Sequence, residues 1–265
     1  TKISPKKVYF VFNLSKCKDI LMVTKQEIKL IKSLNQKKYR QQLGLFTVEG
    51  IKGIEEFLKS DFKLHRLYTT KQIFDDSKGD VVDISENELK KITALKNPNT
   101  ALAIFEIPKS DKVEDDNLIV ALDDVRDPGN LGTIIRLCDW YGVKDLVCSQ
   151  NTVDCYNSKV VQATMGSLTR VNISYLNLSE FISSYKDDVF GTYMNGENLY
   201  NADLPNKGVI VLGNEANGIS DKISSIIDRK ITIPQFGKSK DTESLNVANA
   251  TAIVLSEFRR RTIEM

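Results

Sequence analysis

The segment LIVALDDVRDPGNLGTIIRLCDWYGV, residues 118–143, decides the fold. Its first five residues, LIVAL, form a continuous apolar run, which is typical of a strand buried on both faces in a parallel sheet. Pro128 and Gly129 predict a tight turn after this strand, and Asn130 is a candidate N-cap for the helix 131–141 that follows. A buried strand that passes through a loop into a helix is the repeating unit of parallel α/β proteins.

The same alternation of strands and helices extends in both directions from this segment. Downstream we expect strands at 145–148, 171–174, 189–193, 208–212 and 230–233, and helices at 159–165, 179–185, 221–227 and 246–261. Upstream we expect strands at 45–48, 64–69, 81–84 and 101–106, and helices at 25–42, 51–59 and 86–95. This pattern predicts a parallel sheet covered on both faces in the second part of the chain, and a smaller α/β domain before it.

Composition divides the chain further. The polar and charged run PKSDKVEDDN at 108–117 predicts a linker between a domain at 22–107 and a domain at 118–265. Residues 1–21 are expected to be an extension with little structure, because Met22 opens a more typical protein start.

Basic residues are concentrated in the first part of the chain. Residues 1–52 contain twelve Lys or Arg and three Asp or Glu, although the net charge of the whole chain is +2. This excess is compatible with a phosphate-binding face or with a solvated helix surface. The candidates for phosphate binding lie on the predicted helix 25–42 and are Lys29, Lys32, Lys37, Lys38 and Arg40.

Composition also argues against several kinds of site. His65 is the one histidine of the chain, and the four cysteines Cys17, Cys138, Cys148 and Cys155 include no C-x-x-C pair. We therefore expect no metal site, no histidine general base, and reduced, mostly buried thiols. No apolar run is long enough to span a membrane. Neither G-x-G-x-x-G nor G-x-x-x-x-G-K-[ST] occurs, so NAD and P-loop nucleotides have no recognisable site. We expect a cytoplasmic protein.

Two later loops carry polar residues at strand ends, where open α/β sheets bind ligands. In VIVLGNEANGI, residues 209–219, a buried strand runs into a turn in which Gly213 and Gly218 flank Glu215. In ITIPQFGKSKDTESLNVANA, residues 231–250, Ser244 is a candidate N-cap of the last helix. Each loop alone is equally compatible with an ordinary turn or a capped helix.

Taken in this order, the three loops resemble the three sequence motifs of the SpoU/TrmH RNA ribose 2′-O-methyltransferases of the SPOUT superfamily. The resemblance covers about 118–261, including Lys159 and ATMGS at 163–167, and 46–107 is similar to the substrate-binding domain that precedes it in many members. It implies a trefoil-knotted catalytic domain, and knots are rare in proteins. It also implies a homodimer with the last helix in the interface. The small residues of 247–252 suit such an interface or a closely packed monomer core.

The resemblance implies S-adenosylmethionine as the cofactor. By position, Gly213, Ile233 and Leu245 correspond to the family's cofactor contacts, and the two apolar side chains are expected to flank the adenine. The neighbouring residues expected to complete the pocket are Leu212, Asn214 and Pro234. The loop 235–243 is a few residues longer than in well-known members and borders the expected cofactor site, so the family's contacts do not carry over to it, and its lysines are equally candidates for RNA contact.

The family assigns the central catalytic role to the arginine of the first motif, which is Arg136 here. Because a guanidinium normally keeps its proton, Arg136 is either the base itself or a group that stabilises the developing alkoxide and binds the adjacent phosphate. The resemblance further implies that Asn130, Glu215, Ser244 and Asn246 orient the arginine, the RNA and the loops, with Glu215 beside Arg136.

The first expectation for the substrate is structured ribosomal RNA, because the first domain resembles that of ribosomal RNA modifiers. Transfer RNA is the alternative within the same chemistry. The alternative from another class is a non-catalytic RNA-binding or ribosome-assembly protein of the same fold. The presence of every catalytic residue type of the motifs favours an enzyme.

Overall fold

The computed structural model describes residues 22–75, 80–237 and 244–260, in which helices pack on two β-sheets. The first sheet contains β1 (Leu45–Glu49), β2 (Leu64–Thr69), β3 (Val81–Asp83) and β4 (Ala101–Glu106). Its strand order is β1-β4-β2-β3, in which β4 is antiparallel to both neighbours and β2 is parallel to β3. Its helices are α1 (Lys25–Ser33), α2 (Lys37–Leu43), α3 (Ile51–Leu58) and α4 (Glu86–Ile92). The predicted extension 1–21 lies outside the described residues.

The basic segment that was expected to form one helix over 25–42 forms two, α1 and α2. A capping box between Thr24 and Glu27 begins α1, and Gly44 ends α2 in the left-handed conformation with φ of 65°. Between the helices, the backbone carbonyl of Leu34 accepts a hydrogen bond of 2.7 Å from the Arg40 guanidinium. This contact satisfies a carbonyl that a continuous helix would have paired internally, so the break is stabilised by a side chain that periodicity does not reveal.

The second sheet has six strands, all parallel, in the order β10-β8-β9-β5-β6-β7. Its strands are β5 (Leu118–Leu122), β6 (Asp145–Ser149), β7 (Asn172–Leu176), β8 (Val189–Asn198), β9 (Gly208–Leu212) and β10 (Arg229–Thr232). Its helices are α5 (Pro128–Trp140), α6 (Ser158–Thr164), α7 (Leu178–Ser184), α8 (Asp221–Ser224) and α9 (Val247–Arg260). Every residue of β5 and β9 is buried, which confirms the doubly covered parallel sheet. None of the helices in the described ranges is long and apolar enough to cross a membrane.

Strand β8 is longer than the sequence pattern predicts. It was expected to end at 193 but continues to Asn198, because β10 shifts register between Lys230 and Ile231 and pairs again with Glu197 and Asn198. The added segment contains Gly196, where a Cβ atom would lie 2.7 Å from the Lys230 carbonyl oxygen. A polar, glycine-containing extension carries little strand signal, yet it builds one wall of the cleft described below.

The two sheets share one hydrophobic cluster, which includes Phe46 of β1 and Tyr156 before α6, with ring centroids 4.7 Å apart. We call this contact between residues 22–107 and the second sheet the seam. The segment 108–117, predicted as a linker, is hydrogen-bonded along its length. The Asp111 amide donates to Asn172 Oδ1 at 3.1 Å, and the Val113 side chain packs into a core cluster of the second sheet. The first domain is therefore held against the second.

Candidate active site

A cleft of about 1130 Å³ opens at the carboxyl ends of β8, β9 and β10, next to the start of α9. All six residues predicted to contact the cofactor line it, together with two predicted catalytic residues; these are Leu212, Gly213, Asn214, Ile233, Pro234 and Leu245, with Glu215 and Ser244. Ligand sites at the carboxyl edge of parallel strands are the rule for open α/β sheets. The structure thus brings the second and third loops together around one concave site.

The turn after β9 brings backbone atoms unusually close together. A Cβ atom on Gly213 would lie 2.1 Å from the Gly218 carbonyl carbon, so no larger residue fits there without moving the turn. Asn214 and Gly218 exchange two backbone hydrogen bonds of 2.9 Å, and Gly218 has a φ of 67°. Asn214 Oδ1 accepts hydrogen bonds from the Ala216 and Asn217 amides. This rigid turn presents backbone to the cleft.

Three side chains link the three loops at the edge of the cleft. Asn130 Nδ2 donates to Glu215 Oε1 at 2.8 Å, and Asn246 Nδ2 donates to Asn130 Oδ1 at 2.9 Å. These two hydrogen bonds, in the order Asn246–Asn130–Glu215, therefore connect one predicted catalytic residue from each loop. Its bonds are exposed to solvent, so water or a ligand competes with them.

The helix caps at the site differ from the sequence expectations. Asp127, not Asn130, caps α5, because its carboxylate accepts the Asn130 amide at 2.8 Å. At α9, Asn246 Oδ1 accepts the amides of Ala248 and Asn249, so Asn246 takes the capping role expected of Ser244. The first change leaves the Asn130 side chain available to Glu215. The second gives Asn246 two tasks, capping a helix and bridging to the first loop.

The first and second loops are also joined at their base. Asn214 Nδ2 donates to the Asp124 carbonyl at 2.7 Å, and the Ser220 amide donates to the Asp123 carboxylate at 2.8 Å. Asp124 itself has a φ of 63°, an unusual conformation for a residue with a side chain. Two hydrogen bonds therefore tie the bases of the two loops together.

Arg136 lies on the exposed face of α5, outside the described lining of the cleft. Within the described residues its guanidinium forms neither a hydrogen bond nor a salt bridge, and Glu215 pairs with Asn130 instead of Arg136. The expected Glu215–Arg136 contact is therefore absent from the chain as described. Helix geometry explains this, because six residues separate Asn130 and Arg136 by about 9 Å along the axis and about 240° around it. Trp140, one turn beyond Arg136, is 83% exposed.

Sequence reasoning missed the wall of the cleft that β8 provides. Thr192, Tyr193, Met194 and Asn195 line it. Burial raises the pKa of Tyr193, although its hydrogen bond with Ser224 Oγ, 2.8 Å long, opposes the shift. The exposed Phe236 ring, 84% accessible, also lines the cleft. The only available signal was a polar run directly after an apolar strand at its carboxyl end.

The predicted RNA-binding residues fall into two groups. Lys29, Lys32, Lys37 and Lys38 are exposed on α1 and α2, and Lys37 Nζ lies 5.6 Å from the Tyr175 ring centroid. Arg40 corrects the expectation, because its side chain is 2% exposed and donates to Asp154 Oδ2 from Nε at 2.8 Å and from Nη2 at 2.5 Å. A guanidinium enclosed in this way cannot contact an RNA phosphate.

The thiols and metal-ligating groups form no further site in the described ranges. No three His, Cys, Asp or Glu side chains there are grouped to hold a metal ion. Cys138, Cys148 and Cys155 are free and buried, and burial raises the pKa of each thiol. These thiols are therefore poor nucleophiles at neutral pH.

Comparison with known proteins agrees with this geometry. The model of the SpoU rRNA Methylase family matches residues 117–256, and that of the MRM3-like substrate binding domain matches 25–103. A 23S rRNA (guanosine(2553)-2′-O)-methyltransferase of Bacillus subtilis is 28% identical over 91% of this chain and 99% of its own. A TrmH-family protein from Porphyromonas gingivalis is 36% identical with a TM-score of 0.85, covering 91% of this chain and 100% of that one. An AdoMet-bound rRNA methyltransferase from Sinorhizobium meliloti is 31% identical with a TM-score of 0.82, covering 92% and 98%.

Proposed function

Since the chain belongs to the SpoU rRNA methylase family, we propose that it transfers a methyl group from S-adenosylmethionine to a ribose 2′-hydroxyl of structured ribosomal RNA. The observation that carries this proposal is the chain Asn246–Asn130–Glu215 at the edge of the cleft. It joins residues of all three loops. The function of an unrelated nucleotide-binding enzyme would not require these three residues to be in contact.

The lining of the cleft suits S-adenosylmethionine. The missing Cβ at Gly213 lets the backbone of Gly218 close the turn that lines the cleft, and Leu245, 49% exposed, offers an apolar surface for a purine. The residues that would hold the cofactor are Leu212, Gly213, Asn214, Ile233, Pro234 and Leu245. When bound, it supplies an electrophilic methyl group.

Arg136 is the residue that would act on the ribose. Because arginine side chains in general do not act readily as bases, we favour a role in stabilising the negative charge that develops on the 2′-oxygen and in binding the adjacent phosphate. The hydroxyl proton then passes to an RNA phosphate. Asn130, Glu215, Ser244 and Asn246 would hold the loops and the RNA in the aligned geometry from which much of the rate enhancement comes.

A homodimer through the second domain is part of the proposal. One copy lacks an arginine in the described lining of its cleft, and a second copy would supply one if its α5 face were placed there. The exposed Trp140 on that face and the small outward residues Ala252 and Ser256 of α9 support such an interface. The trefoil knot that the resemblance implies and the cytoplasmic location expected from composition complete the proposal.

The RNA would be captured by the basic surface of α1 and α2. Lys29, Lys32, Lys37 and Lys38 are exposed there, and a cluster of cations binds phosphates irrespective of sequence. Ribosomal RNA is the favoured substrate because the Bacillus subtilis relative, which this chain matches over nearly its whole length, is named for 23S rRNA.

The decisive experiment maps ribose methylation in ribosomal and transfer RNA from cells with and without the gene. We expect one 2′-O-methyl group to disappear from ribosomal RNA and to return when the wild-type protein is added with S-adenosylmethionine. Loss of a site in transfer RNA would replace ribosomal RNA as the substrate. If every methyl group persists and calorimetry detects no cofactor binding at millimolar concentration, the protein is a non-catalytic RNA-binding member of the family.

A further inference from the structure

Arg40 occupies an unusual environment at the seam. Its guanidinium is almost completely buried and makes three hydrogen bonds, two to Asp154 Oδ2 and one to the Leu34 carbonyl. Asp154 belongs to the loop between β6 and α6 of the second sheet, and its side chain is 12% exposed. One side chain of α2 therefore joins the end of α1 to the methyltransferase domain.

The loop that carries Asp154 also braces the first motif loop. The Val153 amide donates to the Val125 carbonyl at 2.9 Å, and Thr152 Oγ1 donates to the Leu122 carbonyl at 3.3 Å. Val125 lies five residues before Asn130, in the loop that leads into α5. A continuous set of contacts thus runs from α2, through Asp154 and Val153, to the loop that holds Asn130.

Stability alone does not account for a buried ion pair at this place. Removing two charges from water costs about as much as their attraction returns, and apolar residues of similar size often serve a fold equally well. What two bonds from a planar guanidinium that converge on one carboxylate oxygen add is a fixed orientation. The rest of the seam includes apolar contacts such as Phe46–Tyr156, which tolerate small displacements.

We propose that Arg40 is a positioning residue for methyl transfer. By clamping α2 to Asp154, it fixes the basic surface that receives the RNA relative to the loop that carries Asn130, so that a bound ribose reaches the cleft in the correct place. This proposal rests on the proposed function. It assigns Arg40 a role in orienting RNA without contacting it.

The test replaces the clamp without leaving a buried charge. Arg40→Met combined with Asp154→Leu removes both charges together, so no charge stays buried without its counter-ion. The Leu34 carbonyl and the Tyr156 amide lose their side-chain partners, so we expect the unfolding temperature to fall by a few degrees. Arg40→Lys retains the positive charge but loses the planar guanidinium that makes two bonds to Asp154 and one to Leu34, and it serves if the double variant does not fold. Arg66→Met is the matched control, because Arg66 pairs with Glu27 and Asp80 inside the first domain only.

The assays use the full-length protein, S-adenosylmethionine, and ribosomal RNA purified from cells that lack the gene. We expect the clamp variants to lower kcat by about tenfold to a hundredfold, as misplacement of a substrate by about 1 Å does. The KM for RNA and the Kd for S-adenosylmethionine should change by less than twofold, and the Val153 amide should exchange its hydrogen faster. Arg66→Met should match wild type in all of these.

Two results would separate failure of this proposal from failure of the proposed function. Folded clamp variants with wild-type kcat would overturn the positioning role of Arg40 and leave the enzyme assignment intact. A wild-type protein that methylates no ribosomal or transfer RNA would overturn the enzyme assignment itself. A fall in kcat that merely tracks the unfolded fraction, measured by thermal denaturation, would reduce Arg40 to a structural residue.

Discussion

The seam and the cleft use polar side chains in opposite ways. At the seam, Arg40 is buried and its contacts are complete before any RNA arrives. At the cleft, the hydrogen bonds between Asn130, Glu215 and Asn246 are exposed, and Arg136 has no partner in the described part of the chain. At the seam, the hydrogen bonds of Arg40 are therefore satisfied within the protein and fix how the two domains pack. At the cleft, polar groups remain available to a substrate.

This difference has a physical consequence for mutations. Groups that engage a ligand mainly affect binding and rate, because the free protein does not depend on them. Groups that complete a buried contact affect the fold as well, since truncation leaves an unsatisfied partner. Single truncations at the cleft should therefore leave stability nearly unchanged, whereas single truncations at the seam should lower it.

Arg136→Ala should lower kcat more than any other substitution considered. Removing a cation that stabilises developing charge lowers kcat by about a hundredfold to a thousandfold, while the Kd for S-adenosylmethionine and the unfolding temperature should stay near wild type. Arg136→Lys should not restore the rate, because an ammonium cannot make the bidentate contact. Methyl transfer from labelled cofactor to RNA measures the effect, with Lys207→Ala as the surface control. Wild-type turnover in Arg136→Ala would remove this arginine from the mechanism.

The sequence predicts the second sheet well because each buried strand is a continuous apolar run. The cofactor loops could be predicted equally well, because glycines and polar residues follow the ends of the strands. All six predicted cofactor residues line one cleft. Periodicity failed where one residue serves a distant element: the break between α1 and α2 depends on Arg40, which contacts Asp154 far along the chain.

The environment of a charged side chain could not be predicted either. Arg40 and Lys38 lie two residues apart in the same basic segment, yet one is buried and the other exposed. Composition assigns both to a phosphate-binding surface, because it records charge and not the partner across the seam. In the same way, the pairing of Glu215 with Asn130 rather than Arg136 depends on where the loop places its carboxylate.

A double-mutant cycle on Asn130 and Glu215 tests the exposed contact of the cleft. Asn130→Ala should lower kcat by about tenfold to a hundredfold through lost alignment. Glu215→Ala removes the same hydrogen bond. The effects of the two substitutions on kcat should therefore be less than additive, with a coupling free energy of about 0.5–3 kcal/mol. Unfolding temperatures should hardly change, because both side chains are solvated. Fully additive effects on kcat would show that the hydrogen bond does not organise the loops.

Lys38→Ala tests the exposed basic surface of α2, where the smallest effect is expected. Lys38 and Arg40 belong to the same short helix, but the exposed ammonium should act through phosphate charge alone. Its loss should weaken RNA binding a few-fold and reduce the slope of log K against log salt by about one unit, with kcat unchanged at saturating RNA. The clamp variants of Arg40 should show the reverse, a lower kcat at an unchanged salt slope. Filter binding from 50 to 200 mM salt measures both, since screening over this range separates contacts with phosphate from contacts within the protein. If Lys38→Ala leaves the slope unaltered, the basic surface of α2 is a solvated helix face, and the RNA must be captured elsewhere on the first domain.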